Sequence, residues 1–193
     1  MNSNKNLDSP YSLNFPPFII GLTFLIIGMI TYFNLVKEIN TMKTIFSIIF
    51  MISGVLEILF SVRNKSIFTN WKWSFSFGLL TYIIGILLIS EPFTNQDITS
   101  FYIGIYFIFR AIFSINFGIE FFERNSSSAY IMIGLGFLLI FLGFSLVWLP
   151  TRLVNFIPYL DGTSFLISGF LIFYIYNSVR KFTQNINHQP VYN

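Results

Sequence analysis

Along this chain the apolar residues arrive in six long runs, not in short alternating stretches. The runs lie near residues 16–36, 42–62, 73–91, 100–122, 129–149 and 154–177. A helix that crosses a bilayer needs about 20 mostly apolar residues, and each run supplies roughly that many. Short polar links separate them: "VKEINT", "RNKSIFTNWK", "TNQD", "ERNSSS" and "PTR". Hydrocarbon offers no water to open backbone groups, so such runs must be helices or a closed barrel. The period-two pattern of barrel strands is absent. The pattern therefore predicts an all-α integral membrane protein with six transmembrane helices.

A second pattern lies inside the first. Gly78, Gly85 and Pro92 stand seven apart, and Gly136, Gly143 and Pro150 repeat that spacing 58 residues on. Gly21 and Gly28 repeat it 57 residues earlier, with Leu35 in the proline's place. The following helices keep their own beat: Ser47 and Gly54, then Gly104 and Ala111, then Gly162 and Gly169. Ten of the twelve glycines fall on these four repeated positions, leaving Gly118 and Gly134 outside them. Membrane helices are enriched in glycine generally, but enrichment alone keeps no register. The chain thus reads as three tandem helix-loop-helix repeats of about 57 residues, and such self-similarity fixes an architecture. The repeats occupy 16–70, 71–128 and 129–178 of a membrane domain over 16–178. A polar, disordered N-terminus is expected over 1–15 and a loose cytoplasmic tail over 179–193. Small residues let helices approach closely in lipid, where packing replaces the hydrophobic drive. A seven-residue spacing returns them to nearly one face after two turns. Each helix is therefore expected to carry a small-residue seam, and each proline to close the first helix of its unit.

The segments "GLLTYIIGILLISEP" and "GLGFLLIFLGFSLVWLP", with the "SG" of "MISGVLEILF" and "LISGFLIF", resemble the HdeD-like acid-resistance membrane proteins. The resemblance covers about residues 15–180, and unit one departs from it by lacking the proline. It implies a small six-span bacterial inner-membrane protein linked to acid stress, with no catalytic motif to transfer.

Composition agrees with a lipid environment. Only 10% of the 193 residues are charged, against 54% hydrophobic and 20% aromatic, with mean hydropathy +0.71. A soluble domain carries about 25% charged residues. The absence of cysteine excludes disulfides and thiolate chemistry. The polar opening lacks a small-residue cleavage site after its apolar run, so the first run reads as a retained span.

Charge sets the expected orientation. Lys5, Arg63, Lys65, Lys72, Arg124, Arg180 and Lys181 share one side, and Lys37, Lys43 and Arg152 the other, beside Glu38, Glu91, Asp97 and Asp161. That bias places both termini in the cytoplasm. Trp71, Trp73 and Tyr130 suit the inner interface, and Tyr102, Trp148 and Tyr159 the outer one. The net charge of +3 reflects the same bias. It forms no clustered basic surface of the kind nucleic acid requires. The lipid bilayer is the expected partner; protein partners and a homo-oligomer stay open.

Three charges fall within spans: Glu57, Arg110 and Glu120. Intramembrane charges are rare and usually face the bundle or a water cavity. Arg110 is the repeat equivalent of Ser53, and Glu57 of Ser114, so Glu57 and Arg110 lie about one turn apart in depth, roughly 6 Å. They are expected to face inward and pair, with Ser47, Ser53, Ser114 and Asn116 as polar surroundings. Glu120 aligns with Arg63 and is expected to pair with it or with water. The preferred reading is a structural ion pair; the alternatives are a proton or ion path and snorkelling to the surface. Asp161 is expected to serve the dipole in the first turns of the last helix.

No phosphate loop, HExxH or nucleophile elbow occurs. The single histidine, His188, lies in the tail, and the "NKS" and "NSS" sites at 64 and 125 fall on the expected cytoplasmic side. The sequence thus points to a non-enzymatic membrane protein without cofactor or metal. A small transporter or channel using Glu57 and Arg110 is the second reading.

Overall fold

Among the described residues, six helices follow one another in the computed structural model: α1 Pro16–Tyr32, α2 Ile39–Arg63, α3 Trp71–Ser90, α4 Gln96–Phe121, α5 Ser126–Trp148 and α6 Ile157–Asn187. The structure describes residues 16–36, 38–63, 65, 71–91, 96–122, 126–148 and 156–187, without the side chains of 16 and 179–187. Residues 1–15, Lys37, Pro92, Pro150, Arg124, Arg152, His188 and the asparagines of both Asn-X-Ser sites, Asn64 and Asn125, lie outside them. Helices α2 to α5 and the Ile157–Ser178 part of α6 are long and apolar enough to cross a membrane. Helix α1 has 17 residues, about 26 Å of rise, which is the lower limit for a span.

Two expected ends are corrected. The first run was expected to stay helical to residue 36, but α1 stops at Tyr32. Asn34 has φ 51°, the Leu35 amide donates to the Ile30 carbonyl and the Asn34 amide to the Thr31 carbonyl, each at 3.0 Å. This is a Schellman cap, in which one left-handed residue reverses the chain and satisfies the last carbonyls. Unit one therefore ends its first helix with Asn34, where the other units place a proline one position later. The last helix was expected to end near 177 in a loose tail, but α6 continues to Asn187. Its extension holds no glycine or proline to break it; the next proline is Pro190.

Each helix touches its successor, and α6 touches α1, so the bundle closes into a ring; α4 and α6 also meet across the interior. The tightest pairs are α2 with α3, α4 with α5, and α1 with α6. These are not the partners within a unit. Each joins the second helix of one unit to the first of the next, and the last unit closes onto the first.

The repeated small residues line these three seams. A Cβ placed on Gly54 would lie 2.6 Å from the Tyr82 nitrogen and 2.7 Å from the Gly78 oxygen, both backbone atoms. Gly85 faces Ser47 and Met51 in the same way. Gly104 and Gly143 face each other, and Gly136 faces Ala111 and Ile115. Gly21 and Gly169 meet on the closing seam, as do Gly28 and Gly162. Gly118, off the repeated positions, belongs to a seam as well: seven residues after Ala111, it packs on Ala129, Met132 and Ile133. Gly134 faces open space.

The ring is filled with aromatic side chains. Phe24, Phe50, Tyr106, Phe107 and Phe165 are fully buried. Phe50, Phe107 and Phe165 are repeat equivalents on α2, α4 and α6, and the Phe165 ring centre lies 5.9 Å from that of Phe50 and 5.0 Å from that of Phe107. The outer surface is also apolar, with Phe137, Phe141, Trp148 and Phe170 exposed. An apolar exterior this continuous suits hydrocarbon better than water.

Candidate buried polar site

The interior carries one ion pair among the described residues. Helix α2 presents Phe50, Ser53 and Glu57 along one inward face, and α4 presents Tyr106, Arg110 and Ser114. Arg110 Nη1 donates to Glu57 Oε1 at 2.6 Å, with both side chains buried. The Thr81 hydroxyl of α3 lies 3.4 Å from Glu57 Oε2 while donating to the Phe77 carbonyl at 2.9 Å. The guanidinium sits 5.1 Å from the Phe77 ring centre and 5.7 Å from that of Phe113. Those rings are stacked on each other at 5.3 Å. The Arg110 cation is thus held by a carboxylate and by two π faces, each of which attracts it. Gly78 makes this placement possible: a Cβ there would lie 3.0 Å from Glu57 Cβ.

An unpaired Arg at the centre of a span costs about 2.5–3.5 kcal/mol on insertion scales. The Glu57 bond and the phenylalanine faces offset that cost without removing it, because both ions leave water.

The site keeps polar atoms without partners. Ser53 Oγ and Arg110 Nε are buried and unbonded, and these two residues and Ser168 are repeat equivalents. The Tyr106 hydroxyl has Ser168 as its hydrogen-bonding neighbour and lies within electrostatic reach of Arg110 and Glu57. The Tyr106 ring is 5.9 Å from that of Phe77, the ring that also carries Arg110.

Other expected residues take other places. Glu120 is half-buried near the end of α4, ten residues or about 15 Å beyond Arg110, and Arg63 is exposed at the end of α2. Asn116 is exposed and so does not join the cluster. Ser114 instead ties α4 to α5 by donating to the Met132 carbonyl at 3.0 Å. Ser47 bonds back to the Lys43 carbonyl at 2.7 Å. Asp161 departs from the expected dipole role: it is 4% exposed and its Oδ1 has no partner. It occupies the repeat position of Phe46 and Ile103, both core residues, which is why it points inward. Lys43, expected at the outer surface, is buried and donates to the Glu91 carbonyl, tying α2 to the end of α3.

Sequence reasoning missed Thr81, Tyr106 and Ser168. Ser168 was legible, since the repeat offset from Arg110 lands on it. Tyr106 carries no such signal, because its register equivalents are Ile49 and Ser164.

A family model described as "Short repeat of unknown function (DUF308)" matches residues 19–90, 76–135 and 134–187. No curated protein and no solved structure matches the chain. The three matched segments together run from early α1 into the last turns of α6.

Proposed function

Because the chain belongs to this family of short repeats of unknown function (DUF308), we propose that it is a non-enzymatic, multi-pass protein of the bacterial inner membrane that supports survival of acid stress. The observation that carries the reading is the repeat itself: it recurs three times through a closed ring of apolar helices. Those same repeats bear the glycine and proline pattern of HdeD-like proteins. The charge bias supports cytoplasmic termini by the positive-inside rule. The Glu57–Arg110 pair, buried against phenylalanine, supports a structural role for these charges.

Expression of the full chain in an acid-sensitive bacterium tests the role. Survival of an acid challenge should rise several-fold over empty vector, and equal survival overturns the acid-stress reading. Phosphatase fusions test the orientation: activity is expected at residue 95 and not at residue 193. A periplasmic signal at residue 193 reverses the topology.

A further inference from the structure

We propose that the outward face of α5 is a dimerisation surface, and that its occupant is a second copy of this chain in the same membrane. Tyr130, Gly134, Phe137, Phe141, Phe144 and Trp148 follow one another along α5 at alternating steps of four and three residues. This is the spacing of a coiled-coil seam, here sustained over most of the helix. The five aromatic residues are 51% to 78% exposed. Among the described residues, Trp148 and Phe141 are the most exposed of the large hydrophobic side chains.

The repeat supplies its own comparison. Phe137, Phe141 and Phe144 are the register equivalents of Leu79, Ile83 and Ile86 on α3, and of Leu22, Ile26 and Met29 on α1. All nine residues are exposed within their helices. Lipid makes the same demand on all three faces, yet only α5 meets it with rings. Anchoring at the membrane surfaces accounts for Tyr130 and Trp148 at the two ends, but not for the three phenylalanines between them. Gly134 sharpens the difference. It lies off the repeated glycine positions, and a Cβ there would meet nothing of its own chain within 4 Å. A glycine facing lipid weakens its helix and returns nothing. At a helix contact it lets a second backbone come close.

Symmetry selects the occupant. Copies inserted in one orientation are related by a twofold axis along the membrane normal. The two α5 helices then run parallel, and each stripe residue meets its own counterpart. Such a face must be uncharged, and the α5 stripe carries no charge. On α3 the equivalent of Tyr130 is the exposed Lys72, so the same pairing there would set lysine against lysine. Aliphatic side chains gain little by exchanging acyl chains for protein, whereas paired rings add offset-stacked and edge-to-face contacts. The area suffices as well. Aromatic side chains bury about 150–250 Å² each, so five that are at least half exposed offer roughly 600 Å² per copy. A stable interface takes about 800 Å² from each partner, and the exposed Ile131 and Leu138 beside the stripe supply the remainder.

The dimer rests on the membrane reading and not on the acid-stress role, so its failure leaves that role untouched. The test uses the full chain, which has no cysteine, in phosphatidylcholine vesicles. Phe137→Cys and Phe141→Cys are compared with Leu79→Cys and Ile26→Cys under a membrane-permeant oxidant. The two α5 variants should give several-fold more cross-linked dimer than the two controls. Energy transfer between copies carrying donor or acceptor fused after residue 193 should persist as added lipid dilutes the protein. Gly134→Leu and Phe141→Leu, which alter only the outward face, should each weaken association several-fold at unchanged helix content. Equal cross-linking at the α5 and control positions reports random collision and overturns the site. Energy transfer that only follows surface density means that the stripe faces lipid and overturns the dimer. Wild-type association in both leucine variants overturns its location. Cross-linking to a different protein in native membranes, with the purified chain monomeric, overturns the second copy as occupant.

Discussion

At the scale of single residues, the same substitution should have opposite effects at two glycines. Gly54→Ala drives a Cβ to 2.6–2.8 Å from backbone atoms of α3, which cannot rotate away. Overpacking of this kind costs about 1–3 kcal/mol, so the unfolding midpoint in detergent should fall. Gly134 meets nothing within 4 Å, and Ala there gains up to about 1 kcal/mol of helix propensity. Gly134→Ala should leave the midpoint unchanged or raise it. The ion pair gives a second expectation. Removing one member of a buried pair costs about 3–5 kcal/mol, whereas removing both into apolar or neutral groups costs less. Arg110→Met should therefore destabilise strongly, and Arg110→Met with Glu57→Gln should recover part of the loss, measured as a double-mutant cycle by thermal unfolding. A double mutant as unstable as the sum of the singles would show that the pair is not coupled. The inward position of Glu57 and Arg110 was legible because charge in an apolar run has few other places to go. The partners Thr81 and Tyr106 were not, because a threonine or tyrosine in such a run is unremarkable until its neighbours are known.

At the scale of elements, the helix boundaries follow local chemistry that hydropathy does not register. Phe33 and Leu35 prolong the first apolar run, yet Asn34 turns the chain between them. Asn34→Gly keeps the left-handed conformation at no steric cost and should preserve or raise stability. Asn34→Ala forces a β-carbon into that conformation at a cost of about 1–2 kcal/mol and should lower the unfolding midpoint. Equal stability of the two variants would mean that the cap does not hold α1. Prolines 16 and 17 at the start of α1, and Pro158 at the start of α6, occupy first turns, where a missing amide costs nothing. These starts, unlike the Asn34 stop, were visible in the sequence.

At the scale of the whole molecule, the closing seam between α1 and α6 makes a ring out of a linear repeat. Phe18 and Phe173 stand 5.0 Å apart by ring centre near one end of this seam, and Tyr32 and Tyr159 5.5 Å apart near the other. The chain contains no cysteine, so introduced pairs report cleanly. Phe18→Cys with Phe173→Cys, and Tyr32→Cys with Tyr159→Cys, should each cross-link within one chain. Cross-links only between chains would mean that the third seam is completed by a second copy.

The sequence by itself determined the all-helical class, the threefold repeat and the small-residue positions. Each of these is a periodicity or a composition carried by residues close along the chain. It also determined that Glu57 and Arg110 lie at nearly one depth, because helical rise is fixed per residue. Only the tertiary structure decided which seam meets which. Gly54 could have packed within its own unit against α1, and it packs instead against Gly78 of the next. The choice rests on antiparallel backbones approaching until both sets of small residues interlock, a matching of surfaces that no single helix encodes. The same closure gathers Phe50, Phe107 and Phe165 from three distant segments and turns Asp161 inward, because positions that are equivalent along the chain become neighbours only when the ring is shut.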